Sequence, residues 1–212
     1  MNNKNLILLG AGGHCKSVID VAESAGYNII GILDLPENVG KVVFGYMVIG
    51  TDADIPKYVN NSEFIITIGF IKNPVIRINL FNKVKNAGGK LATVIASTAY
   101  VSKYATLGEG TVVMHNAFVN AGASIGNNVI LNTYVNIEHD VIVGNQCHIS
   151  TGTMVNGDCK IGDRVFIGSQ SVIANGIRVG DDIIVSAGSF VRKSILFKGI
   201  YSGNPATIKI RF

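Results

Sequence analysis

The sequence predicts a small α/β domain followed by a long parallel β-helix. Three observations carry that prediction. From Ile95 to Val191 every sixth residue is aliphatic, through seventeen positions without a skip. Before Ile95, short apolar runs alternate with two helical patterns. No linker or inserted loop separates the two stretches. An unbroken hexapeptide period marks a parallel β-helix, because ordinary amphipathic strands drift out of a six-residue frame within two or three turns.

The first stretch reads as strand, turn, helix, strand. Leu6 to Leu9 is a short apolar run that ends at Gly10-Ala11-Gly12-Gly13-His14. Val18, Ile19, Val21, Ala22 and Ala25 follow at helical spacing, with Gly26 as the stop. Ile29 to Leu33 is a second strand closed by Asp34. That order is a βαβ unit, expected to be right-handed, within a small Rossmann-like parallel sheet. Lys41 to Phe44 and Met47 to Ile49 are weaker β segments, and Phe64 to Ile68 is a strong strand ended by Gly69. Pro74 suits the first turn of a second helix with Ile76, Leu80, Phe81 and Val84 on its apolar face. Gly88-Gly89 ends it, and Leu91 to Val94 is expected to be a last strand running into the repeat. The chain therefore divides into an α/β domain, residues 1–93, and a β-helix domain with a C-terminal tail, residues 94–212.

The glycine turn departs from a dinucleotide fingerprint. Gly10 and Gly12 fit G-x-G-x-x-G, but Cys15 holds the third position. The general physics of such a turn remains: glycines admit a ligand close to the backbone, and the helix N-terminus offers free N–H groups to an anion. Gly12, Gly13, His14, Asp34 and Gly69 all fall at the carboxyl ends of predicted strands, where an open α/β sheet binds its ligands.

In the repeat, a small or β-branched residue stands four places after each aliphatic, as at Ala117, Ala123, Val129 and Thr153. Three hexapeptides make a triangular coil of 18 residues, so residues 18 apart stack. Just under six coils give a prism roughly 27 Å long. The tail after Val191 leaves the frame, and Lys198 to Ala206 is expected to be a turn-rich closing segment.

Composition excludes several classes. The net charge of +4 is modest and scattered, with no basic run or aromatic interleaving, which argues against a nucleic-acid partner. No apolar stretch reaches about 18 residues, so the expectation is a cytoplasmic protein without a membrane span. Cys147 and Cys159 occupy small-residue positions of the frame, and with Cys15 make an odd total of three, which suits reduced core thiols. His115, His139 and His148 lie at separations of 24 and 9, which gives no metal cage. Neither a P-loop nor a nucleophile elbow is present.

His139 is the best candidate for chemistry. It lies in Ile137-Glu138-His139-Asp140 at an outward corner of the frame, and its stack neighbours are Ala121 and Gly157. Both are tiny and leave a notch beside the imidazole. An adjacent carboxylate on one ring nitrogen fixes the tautomer and raises the basicity of the other, as a general base requires. A solvated surface histidine with acidic neighbours fits the same residues. His148 lies half a coil away, across the prism, so the two rings meet only if a second subunit of a threefold trimer brings them together.

These residues resemble a family, the left-handed β-helix acyltransferases. The run Leu9-Gly10-Ala11-Gly12-Gly13-His14 with Ile32-Leu33-Asp34 and Thr67-Ile68-Gly69 resembles the N-terminal domain of one branch, the bacterial sugar acetyltransferases typified by the UDP-4-amino-sugar N-acetyltransferase of bacillosamine synthesis. Sialic acid O-acetyltransferases share that layout. The resemblance implies His139 as base with Asp140 behind it. It further implies His148 at the acetyl end of acetyl-CoA from a neighbouring subunit, Gly157 along the pantetheine, and cofactor contacts near Ser169 and Ala187. The nucleotide sugar is implied at Gly12, Gly13, His14, Asp34 and Gly69. Gly203-Asn204-Pro205-Ala206 resembles the family's closing Gly-x-Pro-Ala, while Leu35 departs from a second acid after the Asp. The implied enzyme is a homotrimer that needs no metal. It moves the acetyl group of acetyl-CoA to an amine directly, with a backbone N–H or His148 steadying the oxyanion.

Three functions compete at this point. The first is N-acetylation of a nucleotide-linked amino sugar of the UDP-4-amino-4,6-dideoxy-hexose type for bacterial surface glycan synthesis. The second is O-acetylation of sialic acid or a related sugar. The third is a non-catalytic β-helix binding protein, against which the His139–Asp140 pair counts. With no loop in the β-helix to grip an acceptor, acceptor choice falls to the N-terminal domain.

Overall fold

A computed structural model describes residues 4–212; residues 1–3 of the predicted first domain lie outside the described residues. The first domain contains β1 (Asn5–Leu9), α1 (Gly13–Ser24), β2 (Asn28–Leu33), β3 (Val42–Val43), β4 (Tyr46–Gly50), β5 (Glu63–Ile66) and α2 (Val75–Asn86). Its sheet has the order β3-β4-β2-β1-β5, parallel except for the β3–β4 hairpin. Apolar residues of β1 point alternately to the two faces. Leu6 and Leu8 pack with Val18, Ile19 and Ala22 of α1, whereas Ile7 and Leu9 pack with Leu80 and Val84 of α2.

The second domain consists of seventeen short strands stacked in three parallel sheets, the layout of a left-handed β-helix. One face runs from Tyr100–Val101 to Phe190–Val191, the second from Thr106–Leu107 to Arg178–Val179, and the third begins at Val94–Ile95 and includes Ile183–Val185. Partners within a face are 18 residues apart, as in Ile130↔His148↔Phe166. The sixth-residue aliphatics fill the prism and are nearly all fully buried from Val113 to Val191. Each contributes about 1.5–3 kcal/mol relative to an exposed side chain, which is why the sequence tolerates no skip.

The first domain sits on the third face. Val94, Val112 and Ile130, which point outward from that face, share one core with Leu6, Leu8 and Val18. Further along the same column, Phe166 and Ile184 pack with Phe70. The change of architecture near residue 94 is thus not a gap in packing.

Four sequence expectations are corrected. The strand expected over Phe64 to Ile68 stops at Ile66; Thr67 still donates its N–H to the Leu9 carbonyl, and its hydroxyl donates to the Gly10 carbonyl beyond the end of β1. The strand expected over Leu91 to Val94 splits: Leu91 only bridges Phe64, and Val94–Ile95 pairs with Val112–Val113 in the first coil. Ile76 is 60% exposed, and the fully buried member of that helix turn is Arg77. The tail has the expected turn at Gly203–Ala206, but strands flank it. Ile195 bridges Val179, Gly199–Ser202 pairs in parallel with Ile183–Val185, and Thr207–Arg211 closes a hairpin on it. Val185↔Tyr201 is a spacing of 16 rather than 18, so the tail drops two residues from the frame while Tyr201 covers the end of the core.

Candidate active site

His139 occupies the corner between the first and second faces, in the turn from Asn136–Ile137 to Ile142–Val143. Its Nδ1 lies 3.0 Å from Asp140 Oδ2. Asp140 has φ +60, the left-handed conformation that short polar side chains tolerate, and its N–H donates to the Ala121 carbonyl at 3.1 Å. The corner therefore aims the carboxylate at the ring and leaves Nε2 as the available base. One coil on, the imidazole lies directly over Gly157: a Cβ there would stand 2.6 Å from both Cε1 and Nε2. The notch expected from the stacking is present, and the ring itself fills it. Glu138 is engaged by two asparagines instead. Its carboxylate accepts from Asn136 Nδ2 (3.0 Å) and Asn120 Nδ2 (2.8 Å), and those bonds outweigh burial and hold it below the usual carboxylate range.

His148 is in a different setting. It points outward from the third face but lies under the first domain, between Phe70 and Phe166, with ring centroids at 5.8 and 5.2 Å. Its Nδ1 is 2.8 Å from the Phe70 carbonyl oxygen. A carbonyl only accepts, so Nδ1 carries the proton. Burial pushes the imidazole down to about 4, although the Phe70 carbonyl works in the opposite direction; the Arg77 charge adds to the fall. The ring is neutral at pH 7, and its unprotonated Nε2 accepts from Asn132 Nδ2 at 3.4 Å. It has no proton to offer an oxyanion.

A groove of about 460 Å³ opens beside this ring, lined among others by His148, Ser150, Phe166, Ser169, Ala187 and Lys72. Ser150 and Ser169 hydroxyls are 2.8 Å apart. Three of the four residues expected to hold the cofactor thus share one groove. The fourth, Gly157, lies under His139 at the opposite corner. Apolar walls with a row of hydroxyls and one exposed lysine suit an amide-bearing arm that ends in phosphates.

The residues expected to hold a nucleotide sugar divide as well. His14 opens α1, whose N-cap, Gly12, supplies no capping side chain. The His14 ring is 6.4 Å from His148, and Gly69 lies between them. Burial drives His14 down to about 3, helped by the charge of Arg77, and its Nε2 is buried without a partner. Gly12 and Gly13 remain exposed beside it. Asp34 instead fastens the glycine turn: it accepts from Leu35 N–H (2.6 Å), Asn38 Nδ2 (3.0 Å) and Ala11 N–H. Burial would raise its pKa, but these bonds outweigh it and the carboxyl is lowered. Asp34 also lines a second, mainly apolar cavity of about 440 Å³ with Leu33, Leu35, Thr51, Ile68 and Ile76.

Sequence reasoning missed Arg77, Phe70, Ser150 and Lys72. Only the stack of Ser150 near Ser169 left a sequence signal, since they lie 19 residues apart, one coil plus one. Among the described residues no group of three or more His, Cys, Asp or Glu is placed to hold a metal, and no helix is long and apolar enough to cross a membrane.

Known proteins match the chain in both parts. Residues 5–84 fit the model for the PglD N-terminal domain, and residues 159–193 fit that for a hexapeptide repeat of succinyl-transferase. Caulobacter crescentus PerB, solved with CoA and GDP-perosamine, is 30% identical, with 97% of each chain covered and a TM-score of 0.90. A variant of the GDP-perosamine N-acetyl transferase from the same organism gives 30% identity, coverage of 97% and 96%, and a TM-score of 0.91. The acetyltransferase domain of Neisseria gonorrhoeae PglB, solved with acetyl coenzyme A, is 30% identical over 98% of this chain and 100% of that one, with a TM-score of 0.89. A curated relative, an uncharacterized protein of Acanthamoeba polyphaga mimivirus, is 34% identical over 103 residues, which is 49% of this chain and 20% of the viral protein.

Proposed function

The chain belongs to the sugar acetyltransferases that join a PglD-type N-terminal domain to a hexapeptide β-helix, and on that premise we propose that it moves the acetyl group of acetyl-CoA to the amine of a nucleotide-linked amino sugar. The observation that carries the mechanism is the His139–Asp140 pair over Gly157. His139 Nε2 accepts the proton of the attacking amine. Asp140 holds Nδ1–H and stabilises the imidazolium that forms. Acetyl-CoA supplies an activated thioester, so no covalent enzyme intermediate is required. Backbone N–H groups of the corner steady the oxyanion, since the His148 ring has no free proton.

A second copy completes the site. His139 lies at the corner opposite the third face, which bears His148 and the groove with Ser169 and Ala187. One chain cannot bring these together. A contact between a corner on one copy and a face on the next is heterologous, and it closes into a ring if the rotation allows. Three triangular prisms about a threefold axis satisfy that condition, which supports a homotrimer. The groove then receives the pantetheine arm through His148, Ser169 and Ala187, with Gly157 of the adjoining copy opposite. Gly12, Gly13, His14, Asp34 and Gly69 hold the nucleotide sugar from the first domain. A role in surface glycan synthesis follows from that acceptor.

The test is thiol release from acetyl-CoA with three acceptors: a UDP-4-amino-4,6-dideoxy-hexose, GDP-perosamine and sialic acid. Turnover is expected with an amino-sugar nucleotide and is abolished in His139→Ala. Turnover with sialic acid alone overturns N-acetylation in favour of O-acetylation, and the absence of acetyl-CoA binding overturns catalysis altogether.

A further inference from the structure

Arg77 ties the two domains together beside the His148 groove. It is fully buried on α2. Nη1 donates to the carbonyls of Ile66 (3.2 Å), the last residue of β5, and Ile68 (2.6 Å), just beyond it. Nη2 donates to the backbone carbonyl (3.0 Å) and Oδ1 (2.5 Å) of Asn128, a left-handed corner residue of the β-helix with φ +54. Asn128 Nδ2 in turn donates to Gln146 Oε1 at 2.6 Å, so the clamp is braced by the next coil. All four guanidinium acceptors are neutral oxygens, and Nε has no partner.

A buried cation without a carboxylate is a costly way to glue two surfaces. An apolar side chain of similar size would cover the same area without desolvating a charge. What an apolar side chain lacks is a fork that fixes backbone carbonyls on two elements at once. Ile68 is two residues from Phe70, and the Phe70 carbonyl receives the His148 Nδ1–H. We propose that Arg77 is a positioning residue for the acetyl-transfer site: it clamps the Ile68–Phe70 segment to the β-helix so that the Phe70 carbonyl holds His148 as the Nδ1–H tautomer, with Nε2 left as an acceptor on the groove. An acceptor at that place binds an N–H, either of the pantetheine amides or of the incoming amine. The link to acetyl transfer rests on the function proposed above; the tautomer does not.

The experiment is 15N NMR of ring nitrogens in histidine-labelled, ligand-free protein, with His148 assigned by comparison with His148→Gln. Wild type is expected to have a protonated Nδ1 and a bare Nε2. Arg77→Lys keeps the charge but not the fork, and is expected to populate the Nε2–H tautomer of His148. In the same variant kcat for thiol release with the amino-sugar nucleotide falls about tenfold while KM for acetyl-CoA stays within about twofold. An unchanged tautomer in folded Arg77→Lys overturns the proposal. Should that protein fail to fold, Asn128→Gly, which suits a positive φ and removes the Oδ1 acceptor, decides by the same criterion. A shifted tautomer in a protein whose wild type moves no acetyl group upholds the clamp and sinks the acetyltransferase reading alone.

Discussion

His139 stands at an open corner with its side chain 59% exposed and a carboxylate on one nitrogen. Nine residues later His148 is 8% exposed, sandwiched between aromatic rings and bonded to a backbone carbonyl. The same imidazole is thereby given two chemistries. Beside Asp140, the ring lies open to solvent with Nδ1 facing the carboxylate and Nε2 free. Beneath the first domain, protonation would bury an unpaired charge, so the ring stays neutral and accepts. The fold also keeps the two on opposite sides of the prism, so under the proposed function one copy supplies two half-sites.

The largest expected effect comes from removing the open ring. His139→Ala should lower kcat by about 10²–10⁴-fold with acetyl-CoA binding intact, measured by thiol release and calorimetry. A smaller loss there than in His148→Gln would reverse the assignment of roles. Next is Gly157→Ala. Its backbone needs no positive φ, but the new methyl meets the His139 ring and must displace it. We expect about a 10²-fold fall in kcat with an unchanged melting temperature; a normal rate would mean that the observed ring position is not the working one. Asp140→Asn keeps a residue that tolerates the left-handed corner and removes only the charge. A loss of about tenfold in kcat is expected, with KM little changed.

The smallest effect concerns stability and probes the closed side. His148 is held near 4 in the fold and returns to about 6.5 when unfolded. Between those values the unfolded chain binds more protons, so stability is intact above about pH 6.5 and is lost as pH falls toward 4. Thermal melts between pH 7 and 4 should drop by several degrees, and His148→Gln should flatten the curve. His14, lowered further, to about 3, contributes at least as much slope, so the variant should lose about half of it.

Local spacing made the β-helix legible. A buried aliphatic every six residues is a backbone-periodic property, and His139, Asp140 and Gly157 could be placed on one corner by counting in eighteens. Contacts between the domains had no such signal. Arg77 reads in sequence as a solvated cation on a helix that also carries Lys83 and Lys85. Its burial depends on Asn128, 51 residues away, which offers it two oxygens. Phe70 reads as the apolar residue after a strand, and only the docking of the first domain brings its carbonyl to His148. Ile76 followed the helical period yet faces out, because α2 buries Arg77, Leu80 and Val84 instead. The tail broke the period, and pairing at 16 rather than 18 is invisible to a frame count.

The central claim is that the corner of one copy works with the groove of another, and subunit mixing tests it most directly. His139→Ala lacks the base, and Ala187→Trp fills the groove; each protein alone should be inactive. Co-expressed in equal amounts, they should form mixed trimers in which about a quarter of the sites pair an intact corner with an intact groove. Recovery of about a quarter of the wild-type rate is the predicted result. A mixture no more active than its components would contradict the account, because base and groove would then have to come from the same chain.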